Sequence, residues 1–411
     1  MTTNQISFAD PSVQKCPFSA YAKVRNEGPV YVDPKTGFYV VTDYALVRQC
    51  AENATLFSSQ TGLIMVKDSP IKAELDAIWQ KEGVMPVPAL VVADPPHHTF
   101  HRSFVDKAFT PVRVRQLEGF IEGEVNGIID EFIDRGEVEF LGEMAIKVTM
   151  YVFADMMGIP RENWQQYLEW ANTAIAQGRH DNSEDEQRRI THVLCACQRY
   201  LLERAEEYRA NPKGCILSDL ANGEVDGRRL TEEELASIGI QLLIAGYETT
   251  SATMTAALLR IIRTPGLEEQ LRNDPALIPN FIEEVLRLEA PIQGLFRRAT
   301  QDTEIGGVAV PAGSIVQLMW GAANRDPAVF ESPDDFDPVR QNARRHVAFA
   351  FGPHVCVGNQ LARGELRIAF TQLLRRLENF RLMQEPEYFS HPFAYGMTAL
   401  HVAFDRRASQ E

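Results

Sequence analysis

Residues 230–264 read LTEEELASIGIQLLIAGYETTSATMTAALLRIIRT, and no other stretch of the 411-residue chain constrains its fold as strongly. Thr231 followed three residues later by Glu234 has the form of a capping box, and Pro265 with Gly266 stops the pattern. A helix over these residues is about 50 Å long at ~1.5 Å per residue, enough to cross a whole domain. It is apolar on most of its faces, so it must be buried. With 45% hydrophobic and 24% charged residues the chain can supply the core that buries it. No repeat, low-complexity tract or linker rich in Pro, Gly or Ser marks a boundary, so residues 1–411 read as one domain, flexible over about the first ten residues.

Helical spacing of apolar residues recurs at 114–134, 162–176, 187–210 and 277–289, and in NQLARGELRIAFTQLLRRLENF (359–380). Strand signals are few. PVYVDP and GFYVVTD are separated by the turn PKTG, and β-rich segments between 303 and 319 are divided by a Gly-Gly pair and a Pro-Ala-Gly turn. The predicted class is mainly α with small β-sheets.

A net charge of −15, from 56 acidic and 41 basic side chains, argues against a nucleic-acid partner, because phosphate binding needs clustered Lys and Arg. The first thirty residues hold neither a signal-peptide pattern nor a ~20-residue apolar stretch, which predicts a cytoplasmic protein without a membrane anchor. The six cysteines (16, 50, 195, 197, 215 and 356) then read as free thiols. Cys195 and Cys197 lie two apart in a helical stretch and face different directions, which is poor geometry for a metal.

Three segments carry chemistry. In AGYETT (245–250), helical spacing places Gln241, Ile244, Ala245, Glu248 and Thr249 on one stripe, an acid beside an alcohol in an apolar helix. Mid-helix threonines commonly bond back to their own helix, and a buried glycine such as Gly246 marks a bend or a close approach. In FIEEVLRLEAP, Glu284 and Arg287 are three apart, ordinarily a surface pair contributing well under ~1 kcal/mol. In FAFGPHVCVG (349–358), Cys356 sits at or just before a helix N-terminus, where the dipole and free amides favour a thiolate. Such a cysteine is a nucleophile, a redox sensor, a metal ligand, or simply a packed small hydrophobe.

The ordered set A-G-x-E-T, E-x-x-R and F-x-x-G-x-x-x-C-x-G resembles the cytochrome P450 superfamily of haem-thiolate monooxygenases, in particular its soluble bacterial members, over nearly the whole chain. The resemblance implies a fold whose long central helix crosses a buried haem b, with Cys356 as the axial iron ligand. It implies that His98 and Arg102 in DPPHHTFHR, Arg297 in GLFRRAT (a better match than Arg298) and His354 reach the haem propionates, and that Ala245, Phe349 and Gly358 also border the cofactor. In NRDPAVFESPDDFDPVR, Arg340 would complete a buried structural triad with Glu284 and Arg287. Three positions depart from the family pattern: Ala350 stands where Gly is usual, His97 where Glu is common, and Tyr247 where His or Phe is usual.

By the same resemblance, Glu248 and Thr249 would handle protons and bound water during O2 activation, one oxygen atom entering an organic substrate. The pocket wall would come from 61–92, from roughly 168–185, from Gln241, Ile244 and Ala245, from Ile292, Gln293 and Leu295 in PIQGLF, and from Met397 in PFAYGMTAL. These residues are mainly aliphatic or small, with Gln241 and Gln293 as polar handles, which suits a mostly apolar ligand such as a terpenoid, a steroid or a substituted aromatic. No residue marks a carboxylate clamp, although Arg298 or another residue could supply one. The chain carries no flavin or nicotinamide fingerprint and no room for a reductase domain, so electrons from NAD(P)H would arrive through a separate ferredoxin or flavodoxin and its reductase. An acidic carrier would dock on a monomeric enzyme through Arg344 and Arg345, with Arg113 and Arg115. A peroxide-driven or oxidative-coupling enzyme, and a haem-based sensor or binding protein, share the fold and are the alternatives.

Overall fold

The computed structural model describes residues 6–61, 69–178 and 182–408. It resolves into two compact units, one of Met1–Ser59, Val114–Val148 and Thr249–Glu411, the other of Gln60–Arg113 and Thr149–Glu248.

The first unit holds every strand found among the described residues. Its five-stranded sheet has the order Val30–Val32, Tyr39–Val41, Ile315–Leu318, Leu295–Ala299, Phe57–Ser58. The first two strands are the two N-terminal signals, paired antiparallel with Val30 opposite Val41. The 303–319 region forms Thr303–Ile305 and Val308–Val310, a hairpin turning at Gly306 and Gly307, and then Ile315–Leu318. Alternation along Leu295–Ala299 buries Arg297 and exposes Arg298, which donates to the Gly313 carbonyl. Val41, Val47, Phe57, Val316, Leu318, Trp320 and Phe330 form the core against this sheet.

The helix expected over 359–380 ends sooner. It spans Asn359–Arg376, and Leu377–Leu382 is a strand paired with His401–Arg406. Asn379 sits at φ 55° beside a bulge in that ladder, and Arg381 ion-pairs with Asp405. The partner strand overrides a weak local helix preference in LENF.

Glu284 and Arg287 lie on the helix Ile278–Glu289 and are completely buried. Arg287 forks onto the Glu284 carboxylate (2.7 and 2.8 Å) and donates to the carbonyls of Asn324, Pro333 and Asp335. Arg340 reaches the same carboxylate (3.1 Å) and binds the carbonyls of Glu331, Ser332 and Asp335, while the Asp337 amide completes the set. One carboxylate thus fixes an irregular segment of some fifteen residues that lacks ladder bonds of its own.

The second unit is helical. Lys72–Glu82 packs on Glu184–Ala210 through Trp79, Ile190, Leu194 and Cys195. Cys195 and Cys197 are fully buried and burial raises both thiols, Cys195 to about 11, so they behave as small hydrophobes. The capping box of the long helix, Glu232–Arg263, is closed from both sides: Thr231 Oγ1 accepts from the Glu234 amide and Glu234 Oε2 from the Thr231 amide. A Cβ on Gly246 would lie 3.3 Å from the Phe153 ring, so this glycine marks a close approach.

Replacing Glu284 by Gln leaves two buried guanidiniums short of their counter-charge. It is expected to cost about 3–5 kcal/mol, measured by urea unfolding of the purified protein.

Candidate functional site

The cysteine loop belongs to the first unit. A single turn at Gly352–His354 precedes Cys356, and the helix Asn359–Arg376 follows it. The Cys356 amide donates to the Phe349 carbonyl (2.9 Å), the Val355 amide to Gly352 and the Ala350 amide to Val347, so the loop closes on itself. Gly352 has φ 73°, and a Cβ there would come within 2.7 Å of the Ala51 carbonyl oxygen. No side chain fits, because the loop lies directly on the helix Tyr44–Glu52, whose Arg48 stacks on the Phe351 ring at 3.9 Å. Ala350 also takes a left-handed conformation (φ 60°), which explains why glycine suits this position better. Gly358 caps the following helix with an ordinary negative φ.

Around that loop the first unit places His354 with Nε2 2.9 Å from the Ser59 hydroxyl, and Arg297 almost wholly buried, one Nη donating to the Phe296 carbonyl. Burial raises the Cys50 thiol to about 12 even though the Arg297 charge opposes it. Ile292 and Leu295 are half-buried beside the sheet core, and Met397 is buried. Gln293 is not presented as a polar handle: its amide nitrogen donates to the Glu289 and Ala290 carbonyls (2.7 Å each) and its oxygen accepts from Tyr21. Arg344 and Arg345 are exposed, Arg344 lying 3.7 Å from Glu283, and Arg115 is exposed too.

In the second unit, His98 and Arg102 share the helix His97–Val105, with His98 buried and Arg102 paired to Asp106. Burial first, and the Arg102 charge second, lower the His98 imidazole to about 4, so at neutral pH it is an uncharged hydrogen-bonding group. Gln241 Oε1 accepts from the Val91 amide and Ser237, one turn earlier, from the Val87 amide, so the two residues stitch the 87–91 segment to the long helix. Ile244 is half-buried and Ala245 exposed in an otherwise apolar helix. Tyr247 points elsewhere and donates to Asn172. Arg113 is engaged by Asp219 and the Gly214 carbonyl. Of the expected pocket segments, 62–68 and 179–181 lie outside the described residues.

Glu248 and Thr249 follow one another on the long helix. Burial raises the Glu248 carboxyl to about 7, so near neutrality it can both hold and release a proton. Thr253 and Thr255 do bond back, to the carbonyls of Thr249 and Ser251.

Sequence reasoning missed a second buried carboxylate. Glu283, adjacent to Glu284, accepts from Arg363 (2.6 and 3.1 Å) and from His346 Nε2 (2.9 Å). Burial alone would raise it, but these hydrogen bonds prevail and hold it at about 2. Only the pairing of two acids in FIEEVLRLEAP hinted at it.

The donor set suits a haem. Among the described residues no group of three or more His, Cys, Asp or Glu side chains could hold a bare metal ion, whereas a macrocycle brings its own nitrogen ligands and needs one axial donor, which Cys356 can supply. Such a ring also carries two carboxylates, and each unit by itself holds a cation and an imidazole of the kind that binds one: Arg297 and His354 in the first, Arg102 and His98 in the second.

The family model for Cytochrome P450 matches residues 66–393. A steroid C26-monooxygenase of Mycobacterium tuberculosis is 33% identical over 391 residues, 94% of this chain and 93% of that enzyme. A methyl-branched lipid omega-hydroxylase of the same organism is 30% identical over 400 residues, 94% of this chain and 90% of that protein. The solved structure of the cytochrome P450 CYP109Q5 from Chondromyces apiculatus superimposes with a TM-score of 0.87 at 30% identity, covering 99% of this chain and all of that one.

Because Ala350 holds a conformation that costs an L-residue about 1–2 kcal/mol, Ala350→Gly is expected to stabilise the protein by about 1 kcal/mol, read as a raised thermal midpoint.

Proposed function

The chain belongs to the cytochrome P450 family of oxidoreductases, and we propose that it inserts one oxygen atom from O2 into a mostly apolar molecule of steroid or branched-lipid type. The observation that carries this reading is Cys356, held at a helix start by a loop that closes on Phe349 and lies against the Tyr44–Glu52 helix. When bound, the family's thiolate-ligated haem supplies O2 binding and O–O cleavage. The protein's own residues do the rest.

Cys356 would provide a sulfur ligand to the haem iron. In the first unit Arg297 and His354 would be the groups for a ring carboxylate, and in the second unit His98 and Arg102 are groups of the same kind, His98 a neutral donor because burial keeps it unprotonated. Glu248, poised near neutrality, relays protons from its carboxyl oxygen, and the Thr249 hydroxyl retains and orients the water that delivers them. Ile244 and Ala245 of the second unit, and Ile292, Leu295 and Met397 of the first, are apolar side chains that suit an apolar ligand. Both amide handles expected there are engaged by the protein, Gln293 fully and Gln241 through its oxygen. A ligand recognised mainly by shape is therefore favoured over one with a polar anchor, and the named activities of the two relatives, on a steroid and on a branched lipid, are of this kind.

The electron source in this reading is a separate ferredoxin-type carrier. The exposed arginines Arg115, Arg344 and Arg345 of the first unit, on a chain of net charge −15, offer an acidic carrier local attraction. No helix among the described residues is long and apolar enough to cross a membrane.

The reduced, carbon-monoxide-treated protein is expected to show the Soret band of thiolate ligation and to lose it in Cys356→Ser; a histidine-type band in the wild type would overturn the reading. Thr249→Ala is expected to consume electrons without matching product. Proton relay needs the acid form of Glu248, so coupling should fall as pH rises through about 7, and Glu248→Gln should flatten that dependence.

A further inference from the structure

Resting on the haem-thiolate reading, we infer that Arg363, oriented by Glu283, is the positioning residue of the cysteine loop and sets the electrostatic environment of the Cys356 sulfur. The guanidinium lies within the first unit and touches both ends of the loop. At one end it stacks on the Phe349 ring, 4.5 Å from the centroid, and Phe349 is the residue whose carbonyl receives the Cys356 amide. At the other, Arg363 Nη1 donates to Asn359 Oδ1 (2.9 Å), while Asn359 Nδ2 donates to the Cys356 carbonyl (2.6 Å). The Asn359 side chain is thereby fixed in one orientation, amide toward the cysteine and oxygen toward the arginine.

The guanidinium is in turn fixed by the fork onto Glu283, and Glu283 by His346. The other imidazole nitrogen, Nδ1, accepts from the Ala348 amide (3.1 Å), one residue before Phe349, and the His346 ring lies 5.8 Å from the Phe349 ring. Every member therefore meets the loop, or meets a residue that does. The helix Ile278–Glu289 thus sends two consecutive carboxylates to different tasks: Glu284 to the segment 324–340 and Glu283 to the cysteine loop.

A bidentate, stacked contact is one that lysine does not reproduce, because an ammonium cannot fork onto a carboxylate while its face covers an aromatic ring. Charge makes the inference separable from mere packing. Removing the cation in Arg363→Met leaves a buried anion beside the loop and should shift the haem midpoint potential downward. Removing the anion in Glu283→Gln leaves the cation and should shift it upward.

The test uses purified, haem-loaded full-length protein and reads the reduced carbon monoxide spectrum and the midpoint potential. Arg363→Met is expected to lose part of the thiolate-type band, Arg363→Lys to restore it incompletely, and the two charge deletions to move the potential in opposite directions. Arg376→Ala is the control: it lies on the same helix but pairs with Asp130 and Asn126, and should change neither readout. If Arg363→Met fails to load haem, Asn359→Ala, which removes only the relay to the Cys356 carbonyl, should still lower the thiolate-type fraction. Wild-type spectra and potentials in Arg363→Met and Glu283→Gln, or in Asn359→Ala, would overturn the inference, as would same-sign shifts. A wild type without the thiolate band would instead overturn the reading on which it rests.

Discussion

The buried carboxylate of Glu284 is the interaction on which the rest of the first unit depends. A charge in that environment is tolerable only if every oxygen is satisfied, and two guanidiniums and a backbone amide satisfy it. The arginines then use their remaining donors on carbonyls of 324–335, a stretch that neither helix nor sheet could hold in shape. That stretch leads directly into residues 343–358, so the cysteine inherits its place from an ion network rather than from regular secondary structure.

The long helix, its capping box and the small sheets were legible because periodicity and capping are local signals. The cysteine, the acid–alcohol pair and the Glu-Arg pair were legible because their order along the chain is distinctive. Other features were not. Leu377–Leu382 became a strand because its partner lies about twenty residues further on, a fact no local window contains. Arg363 looked like one more basic residue on an amphipathic helix, and its importance comes from Glu283, 80 positions away. Gln293 looked like a polar handle because a glutamine among apolar residues suggests ligand binding, until Tyr21, 272 positions distant, took its oxygen.

Electrostatics divides the titratable groups of the site by environment rather than by residue type. Burial brings Glu248 up to about 7, whereas at Glu283 the hydrogen bonds from His346 and Arg363 outweigh burial and leave it at about 2. Glu248 is partly buried and Glu283 fully so, yet the first can exchange a proton near neutrality and the second stays charged at any pH the protein meets. The contrast separates a group suited to chemistry from one suited to holding a backbone.

The adjacency of Glu283 and Glu284 has a consequence for how such a chain can change. Consecutive residues on a helix point about 100° apart, so rotating or sliding the Ile278–Glu289 helix to improve one network must loosen the other. Substitutions that retune the cysteine loop and substitutions that remodel the 324–340 segment are therefore not independent. Drift in either region is filtered through a single pair of side chains, and a change neutral in one sequence background becomes harmful in another.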